Sequence, residues 1–147
     1  MQVDLTTVKF AGFWSRLLAA VLDSIIQLLV LVPLFLVVFG PDIMADTTVL
    51  ETPLGYTLNY GLPLLYVVVC WIWKSATPGK IMMGMAIVDA DSGGKPPALR
   101  LVVRYVAYYI SALPLFIGFL WVAFDRRKQG FHDKLARTVV VMVPPRR

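Results

Sequence analysis

The amino-acid sequence predicts an all-α membrane protein with two full transmembrane helices, a third broken apolar segment and a small cytoplasmic pair of β-strands. Three features predict it: the composition, three long apolar runs, and the position of every basic residue outside those runs. Of 147 residues, 59% are hydrophobic and only 16% are charged. Soluble domains are about 45–50% apolar and about 25% charged, and a small one cannot bury such an excess. The length predicts a single domain, residues 1–147, without an appended catalytic module.

The three apolar runs have lengths that suit a bilayer. Residues 17–39 would form a helix of about 35 Å, and residues 56–73 one of about 27 Å, against a hydrocarbon core of about 30 Å. Residues 105–124 form a third uncharged run. The first run is longer than the roughly 7–15 residues of a signal-peptide core, so we expect it to be retained.

The charged residues predict the orientation. Residues 40–55 contain three acidic residues and no lysine or arginine, whereas all 14 basic residues lie elsewhere. Because basic residues favour the cytoplasmic side, the acidic loop is expected outside and both termini in the cytoplasm, in the plasma (inner) membrane. The net charge of +5 is therefore interpreted as a topology feature, and no nucleic-acid partner is expected.

The third run conflicts with this topology if it crosses the membrane fully, because the basic C-terminal tail would then lie outside. Leu113–Pro114 and Gly118 interrupt its middle, and a residue before proline disfavours the helical conformation. A break there would produce a re-entrant hairpin, which is tolerated when it is buried in protein. Prolines also lie within the other two runs, so a full span stays open as the alternative.

Two short segments are predicted to form the strand pair. Residues 83–89 and 138–143 are apolar and rich in β-branched side chains, which favours strands. A lone exposed strand is a liability, so the two are expected to pair. Pairing requires both on one side of the membrane, which favours the hairpin.

A polar stripe marks the first run. Arg16 and Asp23 are seven residues apart and share one helix face, and Gln27 continues that face one turn deeper. Two interpretations remain open for Asp23. Either a cation such as Arg16 or Arg104 pairs with it and fixes helix packing, or it exchanges a proton for a small cation, with desolvation raising its pKa.

Other chemistries lack support in the sequence. His132 and Asp133 are adjacent, but no serine or cysteine stands in a nucleophile motif, and one histidine is too few for zinc. Thr77–Lys80 lacks the glycine spacing of a phosphate-binding loop, and Cys70 lies in an apolar run. We expect no enzymatic activity, no cofactor and no metal site.

Three separated motifs resemble the RDD family of small membrane proteins, and together they cover nearly the whole chain. They are GFWSRLLAAVLD at residues 12–23, TPGKIMMG at residues 77–84 and GFHDKLARTVVV at residues 130–141. The family is named for one arginine and two aspartates, which the resemblance assigns to Arg16, Asp23 and Asp133. It implies transport of unidentified ligands, and cation/proton antiport has been associated with the family. The hairpin topology would let Asp133 meet Arg16.

These observations lead to two expectations of function. The first is a small transporter that exchanges a monovalent cation for protons through Asp23. The other candidate functional residues are Arg16, Gln27 and Asp133, with Arg104 as a possible charge partner. Because three short segments can hardly enclose a pathway, we expect a homo-oligomer or a membrane-protein partner. The alternative is a non-transporting scaffold or assembly subunit of a larger membrane complex.

Overall fold

The computed structural model describes residues 2–44, 48–112 and 117–143, and it is mostly helical with one two-stranded sheet. The elements, in chain order, are α1 Phe13–Phe39, 3-10 turns Pro41–Met44 and Thr48–Glu51, α2 Pro53–Tyr56, a π-helical turn Thr57–Gly61, α3 Leu62–Lys74, α4 Pro78–Met82, β1 Met85–Asp89, α5 Ala98–Ala112, α6 Ile117–Phe124, α7 Phe131–Leu135 and β2 Thr138–Met142.

The first apolar run forms most of α1. This helix starts at Phe13, four residues earlier than the predicted run. It ends at Phe39, and the next residue, Gly40, has a φ of 80° that suits glycine. At 27 residues it is about 40 Å long. Its only buried residues are Ala19 and Asp23, so most of its apolar surface is uncovered by the rest of the described chain.

The second run lies in a continuous helical stretch, Pro53–Lys74, made of α2, the π-helical turn and α3. Thr52 caps its start by accepting a hydrogen bond from the Gly55 amide at 3.1 Å. The stretch ends at Ser75, which adopts a left-handed conformation with φ of 56°. This stretch and α1 are long and apolar enough to cross a membrane, and in their most apolar windows only 6% (α1) and 11% (Pro53–Lys74) of residues are buried.

The third run is divided between α5 and α6. Helix α6 folds back on α5. The Tyr108 and Phe119 rings stack at 5.6 Å, and Gly118 lies against the Ser111 backbone. The predicted break at Leu113–Pro114 lies outside the described residues. Helix α5 begins at Ala98, seven residues before the predicted run, and therefore includes basic residues that hydropathy placed outside it.

The two predicted strands pair in antiparallel register, with Ile87 opposite Val140. Both strands are shorter than predicted: β1 begins at Met85 because Gly84 turns the chain with φ of 64°, and β2 ends at Met142. The N-terminal arm, residues 3–11, adds a β-bridge at the edge of the sheet, where the Ala11 amide donates to the Val140 carbonyl at 2.9 Å. This arm covers one sheet face, while α1, α3 and α5 cover the other, so the sheet forms the core.

Candidate functional site

Asp133 is the centre of a buried ion cluster. It lies on α7 with no exposed surface, and its carboxylate accepts a hydrogen bond from the Gly130 amide at 3.0 Å. Arg16 Nη1 lies 2.5 Å from Asp133 Oδ2, and Arg104 Nη1 contacts the other oxygen. Burial alone would raise the pKa of Asp133, but the two guanidinium groups, Arg104 foremost, hold this pKa well below its usual range.

The two arginines fix the helices that meet at this cluster. Arg16 also donates to the backbone carbonyls of Ala11 at 3.0 Å and Lys128 at 2.5 Å, so it joins the start of α1 to the segment before α7. Arg104, only 1% exposed, donates to Thr138 Oγ1 at 2.7 Å and lies over the Trp71 ring at 5.4 Å. The contact between Arg16 and Asp133 that the hairpin topology would allow is therefore present.

Asp23 has different partners from those considered in the sequence. Its carboxylate accepts hydrogen bonds from the Thr77 hydroxyl and from the Gly79 amide, the latter at 2.7 Å, and so caps the start of α4. Among the described residues it forms no ion pair, and both Arg16 and Arg104 pair with Asp133 instead. A Cβ at Gly79 would lie 2.3 Å from the Ala19 carbonyl oxygen, so this close approach of α4 to α1 requires glycine.

Lys80 is a functional candidate that the sequence analysis missed. Its side chain is 9% exposed, and its ammonium donates to Thr77 Oγ1 at 3.3 Å. Because Thr77 donates in turn to Asp23, one hydroxyl links the buried cation to the buried carboxylate. Lys80 belongs to the TPGKIMMG motif, and its burial depends on the packing of α4 against α1.

A cavity of about 580 Å³ brings most of these residues together. Four of the five predicted site residues line it: Arg16, Asp23, Gln27 and Arg104. The fifth, Asp133, is not among the lining residues and lies behind the two arginines, while its neighbour His132 does line the cavity. The walls are mainly apolar and aromatic side chains from α1, α3, α5 and α6.

His132 is enclosed by aromatic rings. The Tyr108 ring lies 4.4 Å away and the Phe119 ring 5.1 Å away, and Ser111 Oγ lies 3.3 Å from Nδ1. Burial lowers the pKa of His132 to about 3, with the cations Arg104 and Arg16 adding to the effect and Asp133 opposing it. The imidazole is therefore neutral at physiological pH. Within the described part of the chain, no group of three or more His, Cys, Asp or Glu side chains could hold a metal ion.

A match to a known family covers most of the chain. A model described as the RDD family matches residues 10–137, a range that contains the ion cluster, the capped helix and β1 and ends just before β2. The chain belongs to the RDD family. The residues that the resemblance assigns to the arginine and the two aspartates of the family name are Arg16, Asp23 and Asp133. Arg16 and Asp23 line the cavity, and Asp133 lies behind its wall.

Proteins of Bacillus subtilis are similar to this chain over most of their length. Uncharacterized protein YxaI is 30% identical over 90% of this chain and 97% of its own length. Uncharacterized membrane protein YteJ is 30% identical over 95% of this chain and 85% of its own length. Uncharacterized protein RP437 of Rickettsia prowazekii is 34% identical over 52% of this chain, and the match spans 42% of that protein. No solved structure matches the chain.

Proposed function

We propose that this protein is a small membrane transporter that exchanges a monovalent cation for protons at Asp23. The observation that carries the proposal is the cavity, where Asp23 and Gln27 from α1 share a wall with the arginines of the ion cluster. A carboxylate on an apolar helix is costly in lipid, by about 2.5–3.5 kcal/mol on insertion scales, and such groups commonly mark ion pathways.

Asp23 keeps the coordinating capacity that exchange needs. A carboxylate has about four acceptor positions, and the Thr77 hydroxyl and the Gly79 amide use two of them. The remaining positions are available to a cation or a proton in the cavity. Asp133, in contrast, is fully buried between two arginines and the Gly130 amide. Its proposed role is to hold the helices of the site in place.

The membrane setting of the proposal rests on three further observations. Helix α1 and the stretch Pro53–Lys74 are long enough to span and leave their apolar surface uncovered. A relative of similar length is named as a membrane protein. The cytoplasmic placing of both termini follows the distribution of basic residues in the sequence. Since so few helices enclose little of a pathway, the transporter is proposed to act as a homo-oligomer or with a membrane-protein partner.

The experiment that tests exchange uses purified protein in liposomes carrying a pH gradient. Addition of Na⁺ or K⁺ should dissipate the gradient in liposomes with the wild-type protein, as measured with a pH-sensitive dye. Asp23→Asn should reduce this flux to the rate of protein-free liposomes, because the amide cannot exchange a proton. Asp91→Asn is the matched control, because the Asp91 side chain is 69% exposed in a turn and does not line the cavity.

Size-exclusion elution in detergent should be the same for all three proteins, since an asparagine oxygen can still accept the Gly79 hydrogen bond. Absence of cation-dependent flux from well-folded wild-type protein rejects the transporter.

A second function, a non-transporting scaffold within a larger membrane complex, is favoured by a different observation. Asp23 caps α4 and thereby fixes α1 against α4, which leads into β1. This role is structural. The apolar faces of α1 would then be covered by the partner, as at Val37, whose side chain is 83% exposed. Affinity purification in mild detergent should recover one stoichiometric membrane partner. Recovery of homo-oligomers alone would count against the scaffold.

A further inference from the structure

Lys80 has no direct ion pair among the described residues, and the Asp23 carboxylate reaches it only through the Thr77 hydroxyl. Its ammonium carries three donors, yet its hydrogen bond within the described residues is to the Thr77 hydroxyl at 3.3 Å. Its other contact is with the face of the Trp71 ring, at 5.7 Å, and no described carboxylate forms an ion pair with it. A buried charge without a directly paired counter-charge is unfavourable, so the site favours an anion beside Lys80.

The rest of the cavity shares this excess of donors. Arg16 and Arg104 line it together with Lys80, against one lining carboxylate, that of Asp23. Both arginines are paired with Asp133 behind the wall, so the described side chains around this volume leave an excess of one positive charge, at Lys80. An excess of positive charge suits an anionic ligand, whose oxygens can accept charge-assisted hydrogen bonds.

The walls of the cavity indicate that such a ligand also has an apolar part. Leu17 of α1 and Leu120 of α6 both line the cavity, and they are 42% and 46% exposed. The cavity therefore reaches the apolar face that the proposed membrane helices present to lipid. Its volume of about 580 Å³ lies within the roughly 300–1,000 Å³ of ligand pockets.

From this arrangement we infer that the cavity binds the phosphate head group of an acidic phospholipid, with Lys80 as its main charge partner. The acyl chains leave past Leu17 and Leu120 into the bilayer. Basic pockets between membrane helices on the cytoplasmic side are known to suit such head groups. This inference goes beyond the proposed exchange and does not depend on it, because an anion neutralises Lys80 whether or not Asp23 exchanges a cation.

Binding can be measured on the delipidated full chain in detergent by native mass spectrometry. The probes are phosphatidylglycerol, phosphatidylcholine with the same acyl chains, and inorganic phosphate as a competitor. Phosphatidylglycerol should bind wild-type protein about fivefold or more tightly than phosphatidylcholine. Lys80→Gln should weaken phosphatidylglycerol binding about tenfold, because it removes a charge-assisted hydrogen bond. Lys74→Gln should leave binding unchanged, because Lys74 is exposed at the end of α3 and does not line the cavity.

Equal binding of the two lipids, or an unchanged preference in Lys80→Gln, overturns the proposal. Displacement of phosphatidylglycerol by millimolar inorganic phosphate would make the ligand a free anion and overturn the assignment to lipid.

A second measurement needs no variant and so applies even if Lys80→Gln does not fold. Wild-type protein is labelled with a phosphatidylglycerol that carries a photoactivatable group next to its phosphate. Labelled peptides should contain Lys80 or Trp71 of the cavity wall. Labelling confined to peptides that do not line the cavity rejects the site.

Discussion

Replacing Asp133 by asparagine should lower the free energy of unfolding by more than the same substitution at an exposed aspartate. The substitution removes the negative charge between Arg16 and Arg104, and Arg104 is only 1% exposed, so its charge cannot turn to water. Removing one partner of a buried ion pair typically costs about 3–5 kcal/mol, because the other charge stays buried and uncompensated. We expect Asp133→Asn to lose about that much free energy of unfolding.

The same region offers a matched control. Asp125 pairs with Lys134 at 2.5 Å, but the Lys134 side chain is 43% exposed. Exposed pairs contribute about 0–1 kcal/mol, so Asp125→Asn should lower the free energy of unfolding by about 1 kcal/mol or less. A double substitution, Asp133→Asn with Arg104→Met, should recover part of the loss, since it removes the buried uncompensated cation.

The variants can be compared with wild type by equilibrium unfolding in mixed micelles of increasing SDS content. Far-ultraviolet circular dichroism at pH 7 measures the folded fraction. The lowered pKa of Asp133 keeps it ionised when folded, so its stabilising effect is present above the ordinary pKa of 3.8 and is lost only in stronger acid. The difference from wild type should therefore stay constant between pH 5 and 8. A loss for Asp133→Asn no larger than that for Asp125→Asn would refute the account of the cluster.

Three further predictions follow from other parts of the structure. Gly79→Ala places a Cβ 2.3 Å from the Ala19 carbonyl oxygen and should lower stability in SDS by about 1–3 kcal/mol, whereas Gly61→Ala, with its nearest atom at 3.8 Å, should not. His132 has a pKa near 3 when folded and about 6.5 when unfolded, so the unfolded state alone takes up a proton as the pH falls through this window. The midpoint temperature of thermal unfolding should therefore be lower at pH 5 than at pH 7, and this difference should be smaller in His132→Gln than in wild type. In a Cys70→Ser background, an impermeant thiol reagent should label Glu51→Cys on intact cells and leave Lys95→Cys unlabelled; the reverse pattern contradicts the proposed topology.

The parts of the fold that the sequence predicts correctly are those set by local pattern. The apolar runs locate α1 and the second helical stretch to within four residues, and the β-branched segments locate both strands. The start of α5 at Ala98 was not predicted, because hydropathy ends a run at the first charged residues. Here those charges are compensated from elsewhere in the chain: Arg100 pairs with Asp89 and Arg104 with Asp133, so the helix continues through them.

Four of the predicted site residues line one cavity in the structure, and the contacts of the site follow only partly from the sequence. The contact between Arg16 and Asp133 follows from the family resemblance together with the returning third segment. The partners of Asp23, in contrast, are 54 and 56 residues further along the chain and are uncharged. A rule that pairs an acid with the nearest base cannot find them, and the burial of Lys80 has the same origin in the packing of α4 on α1.

The two aspartates on which the family name rests can be separated by their surroundings. Asp133 is neutralised by two arginines, so its substitution acts on the fold. Asp23 is held by two uncharged donors and keeps free acceptor positions on the wall of a cavity, so its substitution by asparagine should act on the proposed exchange and leave the fold in place. If Asp23→Asn instead unfolds the protein as readily as Asp133→Asn, the capping of α4 is the main role of Asp23, and the scaffold becomes the better account.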